Sequence, residues 1–430
     1  MVWAVKMRQG IGVHEASEWI QAVTPILGPE TVLLGEAAGR VLAEPLVSGR
    51  QLPPADNSAM DGFAVHSADL VDATASEPTG LPVVEEIAAG GASSQRLQPG
   101  TSARIFTGAP VPEGADAVVR QEDTRVEGNQ VWISVPARPG ENIRDAGEDI
   151  GVGDQVMESG HLLGAVEIGL LSSLGRSAVN VHRRPRVAIL SGGDELVEVD
   201  GDISGGRIVA SNSYALVAAC RLLGAEPLYL GISEDRPESV ERQFRAALDS
   251  DCIVSSAGVS VGDHDHVRPV LEKLGCELDF WGVKMKPGYP LAFGRFKGAT
   301  PGGAGVGPLV FGLPGNPVSA NVSYNLFVRP ALLKMMGVSN CFRPVIRARL
   351  KEGLEKKPGR MHFVRVSLEN HGGTWEARST GNQSSGALSS MTRADGLLVF
   401  PEDSTALSEG EEVLVQLLGD GPSGEAAMGF

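Results

Sequence analysis

Residues 252–268, Cys252-Ile-Val-Ser-Ser-Ala-Gly-Val-Ser-Val-Gly-Asp-His-Asp-His-Val-Arg268, decide how the rest of the chain is read. The short apolar run Ile253-Val254 predicts a buried strand. It gives way to small residues, which let a backbone turn sharply and approach a ligand closely. Asp263 and Asp265 follow, interleaved with His264 and His266, and a helical pattern begins near Val267. In open α/β sheets, ligands bind in the crevice outside the carboxyl ends of the strands. The stretch therefore reads as one wall of a site for anions, with a metal ion beside them.

The same pattern recurs on both sides. Val187–Leu190 leads into Ser191-Gly192-Gly193-Asp194-Glu195, Leu228–Ile232 into Ser233-Glu234-Asp235, and Leu309–Leu313 into Pro314-Gly315-Asn316-Pro317. Between them lie helical patterns over Tyr214–Leu223 (Ser213 as N-cap, Gly224 as stop), Glu238–Leu248, Val267–Leu274 and Val318–Met336, the last interrupted at Pro330. Further strands are predicted near Phe280–Met285 and Leu291–Phe296. Strands alternating with helices at this spacing predict a mainly parallel, doubly wound sheet. If the four turn-bearing strands are adjacent, their turns share one sheet edge, and Glu195, Asp235 and Asp265 can converge. Carboxylates in a glycine-rich cleft suit Mg²⁺, which prefers oxygen ligands and substrate phosphates. Lys284, Lys286 and Arg268 lie close in sequence and could hold the anion. A competing reading makes each carboxylate a helix cap, and Asp235, just before Arg236-Pro237-Glu238, is a good capping candidate.

The flanks have a different texture. Residues 1–10 carry no clear signal and read as a disordered leader. Val13–Leu27 has helical periodicity, with Pro25 ending its last turn. Pro53–Val65 has turn chemistry. Short β-type runs at Pro82–Ile87, Thr101–Phe106, Ala117–Val119 and Val131–Val135 predict a small barrel or sandwich. Ala165–Leu174 is a predicted helix. Arg343–Leu350, His362–Leu368, Thr374–Arg378, Gly396–Phe400 and Glu412–Leu417 predict a small C-terminal β-domain, with 419–430 as a disordered tail.

The totals narrow the function classes. With 430 residues the chain has room for about three domains. Its net charge of −16 makes nucleic acid and anionic membrane poor partners, so an anionic ligand needs locally concentrated cations or bridging metal. The four cysteines are scattered without zinc spacing or a disulfide framework, which fits a reducing cytoplasm. The uncharged segment 298–328 holds four prolines and seven glycines and does not read as a membrane helix.

Several residues have bland readings. His264 and His266, with no third His or Cys nearby, read as solvated rather than zinc ligands. Gly302–Gly307 lacks the Lys-Ser/Thr of a phosphate loop. Lys356-Lys357 reads as a solvated face, and Arg360 and Arg365 face either solvent or a phosphate. Asp61 and Asp149 read as turn aspartates.

Seven stretches, in order along nearly the whole chain, resemble the molybdopterin molybdenumtransferase (MoeA) family, to which the E domain of gephyrin is similar. They are Asp56–Ala64, Thr107–Pro110, Gly140–Arg144 with Gly147–Asp149, Gly193–Leu196, Gly258–Asp263, Lys286–Gly288 and Gly312–Ser319. The resemblance implies a multi-domain α/β and β protein. Its expected parts are an elongated linker domain (11–47 plus 145–180), a β-rich domain (48–144), a central α/β domain of the molybdopterin-binding MoaB/Mog kind (181–338) and a C-terminal β-barrel-like domain (341–418). It also implies a cytoplasmic homodimer with the site between subunits. The implied reaction takes adenylylated molybdopterin and molybdate and, with Mg²⁺, releases AMP and molybdenum cofactor. The upstream adenylyltransferase and acceptor molybdoenzymes are the implied partners.

Carried over position by position, Asp61, Asp149, Glu195, Asp235 and Asp265 are the implied catalytic residues, with Glu195, Asp235 and Asp265 at the metal. Thr107, Ser260, Lys284, Lys286, Pro314, Gly315, Asn316, Arg365 and Ser385 are the implied substrate contacts. Asp61, Thr107 and Asp149 are expected to reach across the dimer. The chain departs from the family pattern at Ala257 (commonly Gly), Tyr289 (commonly Lys), Gly192 (commonly Thr) and Phe63 (commonly Tyr). Lys284 is the expected substitute for the charge missing at Tyr289. Two other functions remain open on sequence: adenylyl transfer to molybdopterin, against which residues 1–180 and 341–430 argue, and a non-catalytic dimeric scaffold or carrier.

Overall fold

A computed structural model describes residues 7–256, 266–298 and 307–419. Its centre is a seven-stranded sheet: β1 (Arg8–Ile11), β2 (Arg186–Gly192), β3 (Glu226–Ser233), β4 (Cys252–Ser256), β5 (Cys276–Val283), β6 (Ala292–Phe296) and β7 (Leu309–Leu313). The spatial order is β1-β5-β6-β7-β4-β2-β3. Every neighbouring pair is parallel except the two made by β6, which runs against the rest.

Successive side chains on a strand point to opposite faces. Val187 and Ile189 of β2 accordingly join one core with Val254 and Phe311, while Ala188 and Leu190 join another with Ile253 and Val310. Helices α1 (Val13–Val23), α2 (Ser211–Leu223) and α5 (Pro317–Ser323) contribute to the first core. Helices α3 (Pro237–Ala247) and α4 (Val267–Lys273) contribute to the second. Both faces are covered, which is why these strands read as continuous apolar runs. Phe280, Phe293 and Phe311 stack across β5, β6 and β7 with centroids 5.5 and 5.0 Å apart.

The N-terminal expectations need correction. Residues 8–11 are not leader but an edge strand, paired with Phe280–Val283. The segment expected to open the linker domain divides. Ile11, Ala16, Ile20 and Leu27 pack into the central core, whereas Val32 and Leu34 already pack against the linker core of Ala37, Leu42, Leu46, Ile150, Met157, Leu171 and Val181. Helix α1 stops at Val23, ahead of Pro25.

Gly62–Val65, inside the stretch read as turn, is a fully buried strand of the six-stranded β-domain sheet. The last central helix is continuous rather than broken. A π turn at Tyr324–Val328 joins α5 to Arg329–Met335, and this wider turn just ahead of Pro330 lets the helix pass a residue that has no N–H to donate.

The C-terminal region closes into a five-stranded barrel. Its strands follow the order Met361–His371, Thr374–Ser379, Val345–Leu350, Glu412–Leu417 and Gly396–Phe400, the last returning to the first. One further pairing ties it to the centre: Met285 and Lys286 run parallel to Met361 and His362. Among the described residues no helix is long and apolar enough to cross a membrane.

Candidate active site

The four turn-bearing strands β3, β2, β4 and β7 are consecutive neighbours and all parallel, so their turns occupy one sheet edge. A cavity of about 570 Å³ opens there. It is lined by Ser191, Glu195, Ser211, Asn212, Ser256, Pro290 and the turn Pro314–Pro317, so Glu195, Pro314, Gly315 and Asn316 are gathered in it.

Glu195 owes its place to Gly193. That residue has φ +142°, and a Cβ there would lie 2.5 Å from a Glu195 carboxylate oxygen. Buried hydroxyls lie below: Ser191 Oγ bonds Ser213 Oγ and lies 3.2 Å from Ser256 Oγ. Asn212 Nδ2 donates to the Gly315 carbonyl at 2.8 Å, tying α2 to the Pro314–Pro317 turn.

Asp235 lies on the neighbouring turn and does not line the cavity. The two turns are joined directly. The Asp235 N–H donates to Asp194 Oδ1 at 3.0 Å, and the Gly193 N–H donates to the Ser233 carbonyl at 3.1 Å. The capping role expected of Asp235 fails: the residue at the start of α3 is Arg236, and no side chain caps that helix. Gly192 adjoins Ser233, whose Oγ would be 2.9 Å from an added Cβ, so the space for a larger residue is already taken.

Asp265 and Ser260, with Ala257, Asp263 and His264, lie outside the described residues. Among the described residues no three His, Cys, Asp or Glu side chains form a group able to hold a metal ion. Glu195 and Asp235 offer hard carboxylate oxygens on adjoining turns, a donor type that suits Mg²⁺, which commonly takes one or two carboxylates and completes its shell with water and phosphate oxygens.

The remaining candidates fall into two groups. Asp61 and Thr107 meet on the β-domain. The Thr107 N–H and Oγ1 donate to Asp61 Oδ1 at 2.7 and 2.8 Å, and those two bonds, aided by Arg104, hold the Asp61 carboxyl below the usual aspartate range. Asp149 is exposed on a turn bonded back to Leu52. None of the three lines the strand-end cavity of its own chain.

The second group lies toward the barrel. Lys286 lines a separate cavity of about 620 Å³. Lys284 sits 3.9 Å from Glu402, so its charge has a partner and does not simply replace one missing at Tyr289. Arg365 does not face solvent: it is 1% exposed and stands in the wall of that same cavity. Its guanidinium donates to Ser390 Oγ and to the Asn382 and Ser384 carbonyls at 3.0–3.1 Å, holding the loop that carries Ser385. The Ser385 carbonyl in turn accepts from the Val318 N–H at 3.0 Å.

Sequence reasoning passed over Lys356 and Lys357 as a solvated face. Both line the second cavity, with Arg360 and His362. The missing signal was the pairing of Met285–Lys286 with Met361–His362, which no local pattern reveals.

Parallel strands with carboxylates and hydroxyls at their carboxyl ends define an α/β protein whose ligand crevice lies at the strand ends. Comparison with known proteins makes this specific. Residues 11–175 match the MoeA N-terminal region (domain I and II), 188–334 a probable molybdopterin binding domain, and 347–418 the MoeA C-terminal region (domain IV). The chain is 41% identical to a molybdopterin molybdenumtransferase of Nostoc sp., over 90% of this chain and 88% of that protein. It is 36% identical to that of Haemophilus influenzae, over 90% and 93%. A solved MoeA protein of Pyrococcus horikoshii superposes with TM-score 0.79 at 31% identity, covering 95% of this chain and 100% of that one. The chain belongs to the MoeA family of molybdopterin molybdenumtransferases.

Proposed function

We propose that this protein inserts molybdenum from molybdate into adenylylated molybdopterin, releasing AMP and molybdenum cofactor in an Mg²⁺-dependent step. The observation that carries the reading is the convergence of the Glu195 and Asp235 turns at the carboxyl edge of a molybdopterin-binding sheet. Glu195 and Asp235, with Asp265, would hold Mg²⁺, whose chemistry is to neutralise phosphate charge at the bond that is cut. The Ser191 and Ser256 hydroxyls and the Gly315–Asn316 turn would orient the substrate in the cleft. Lys286 would receive anion charge at its barrel side, and Ser260 would contact the pterin compound.

Asp61, Thr107 and Asp149 lie off the cleft of their own chain, and a homodimer that carries them to the partner's cleft gives them a role. The setting proposed is cytoplasmic, between the adenylyltransferase that makes the substrate and the molybdoenzymes that accept the product. The test is to mix the purified protein with adenylylated molybdopterin, Mg²⁺ and molybdate and follow AMP. Release that requires both molybdate and Mg²⁺ is the expected result; tight binding without AMP release would turn the reading toward a carrier or scaffold.

A further inference from the structure

One wall of the strand-end cleft is not supplied by the central sheet. After β2 the chain leaves the sheet at Gly193 and returns at Ser211 to begin α2. Within this strap Leu196–Val197 pairs in parallel with Ile208–Val209, a two-stranded ribbon separate from the seven-stranded sheet. The Ile208 N–H donates to the Glu195 carbonyl at 2.8 Å, and the Ala210 N–H to the Val197 carbonyl at 2.9 Å. The ribbon thus carries the backbone of Glu195 itself. Leu196, Ile208 and Val209 line the cleft together with Glu195.

A lone two-stranded pairing is marginal in water, so something else must fix this wall. The far end of the strap closes on itself: Asp202 accepts from the Ser204 N–H and Oγ and from Arg207. Val199, Ile203 and Ile208 are exposed, so apolar packing supplies little of the hold. Glu198 makes the link to the sheet. Tyr214 Oη donates to Glu198 Oε2 at 2.7 Å, and Tyr229 Oη donates to Glu198 Oε1 at 3.0 Å. Tyr214 stands on α2 and Tyr229 on β3, the edge strand, with ring centroids 5.9 Å apart. Tyr229 also packs against the first core. Hydrogen bonds to an ionised acceptor are about twice as strong as neutral ones. Burial and then the Glu198 carboxylate push the Tyr229 phenol up, and the Glu198 bond does the same for Tyr214, so both stay donors at neutral pH. The Ser213 hydroxyl, which bonds Ser191 of the cleft, also bears on the Tyr229 phenol.

We propose that Glu198, clamped between Tyr214 and Tyr229, is a positioning residue for the strand-end cleft: it fixes the strap 196–210 against the sheet and so sets the place of Glu195 and of the Leu196–Ile208 wall. Its part in catalysis rests on the function proposed above. Gly193 bends the chain at the cleft, and Glu198, a few residues beyond Glu195, keeps the strap from swinging outward.

The test uses the full chain beside Glu198→Ala, the double substitution Tyr214→Phe with Tyr229→Phe, and Glu198→Gln, which keeps one oxygen acceptor. Amide exchange is followed over 196–210, AMP binding by calorimetry, and AMP release at steady state against molybdate. Glu198→Ala and the double substitution are each expected to speed exchange across the strap about tenfold, with the central strands unchanged. In both, kcat is expected to fall about tenfold with KM for molybdate within about twofold, and AMP to bind roughly threefold to tenfold more weakly. Glu198→Gln is expected to keep kcat within about threefold of the unsubstituted chain. Faster exchange with kcat and AMP affinity unchanged would make the clamp a structural tie and overturn the positioning role. Unchanged exchange in both disruptive variants, or Glu198→Gln no better than Glu198→Ala, would overturn it as well. Without AMP release from the unsubstituted chain the proposed function falls. Weaker AMP binding by the variants would then still support the clamp, and undisturbed or absent AMP binding would overturn it.

Discussion

Two cavities flank the Lys286–Pro290 loop, and they are built in opposite ways. The strand-end cleft is made of carboxylate, hydroxyls and backbone turns that one sheet edge presents together. The barrel-rim cavity is made of lysines and two arginines, with Lys286 joined to segments some seventy to eighty residues later by a two-residue strand pairing. The first follows from topology alone: once the strands are parallel and adjacent, their turns must meet. The second exists only because two domains dock. Chemistry that depends on a sheet edge can be read locally, and chemistry that depends on docking cannot.

Three changes test this division, in falling order of effect. Gly193→Ala attacks the cleft. At φ +142° a side chain is strained by about 1–3 kcal/mol, and the new Cβ would drive into the Glu195 carboxylate. The expected loss of AMP-releasing activity is about 10- to 100-fold. Full activity in this variant would detach Glu195 from the chemistry.

Arg365→Met attacks the wall of the other cavity. It strips Ser390 and the Asn382 and Ser384 carbonyls of their shared donor. The expected cost is about 2–4 kcal/mol in local stability, read as faster amide exchange over residues 384–390 while the central strands stay protected.

The smallest effect concerns pH. The His362 pKa lies well below the ordinary histidine value of 6.5, so the unfolded chain takes up this proton before the folded one does. Folding stability from this residue is therefore present near pH 7 and is lost as pH falls from about 6.5 toward about 4. His362→Gln is expected to lose less of its melting temperature between pH 7 and pH 5 than the unsubstituted chain. An identical pH dependence would mean that the barrel rim does not press on this ring.

What the sequence made legible follows the same line. The apolar runs at Val187–Leu190, Leu228–Ile232, Ile253–Val254 and Leu309–Leu313 announce strands because both sheet faces are covered. The barrel strands announce themselves by alternation. Arg8–Ile11 gave no signal, because it is an edge strand formed by pairing with Phe280–Val283. Gly62–Val65 was hidden by the turn residues just before it. Glu195 and Asp235 were legible as carboxylates after strands; the structure puts Glu195 in the cleft and Asp235 on the adjoining turn, with Arg236 rather than Asp235 at the start of α3. Lys356, Lys357 and Arg360 were not legible, because surface cations look alike until another domain places Lys286 among them.

The central claim is that the chemistry belongs to the strand-end cleft and not to the barrel-rim cavity. Steady-state AMP release by Glu195→Gln and Arg360→Gln, measured side by side against molybdate concentration, tests it most directly. Glu195→Gln is expected to lower kcat by about 10²- to 10³-fold with KM little changed. Arg360→Gln is expected to raise KM roughly tenfold with kcat within about twofold. An equal loss of kcat in both variants, or an undiminished kcat in Glu195→Gln, would contradict the account.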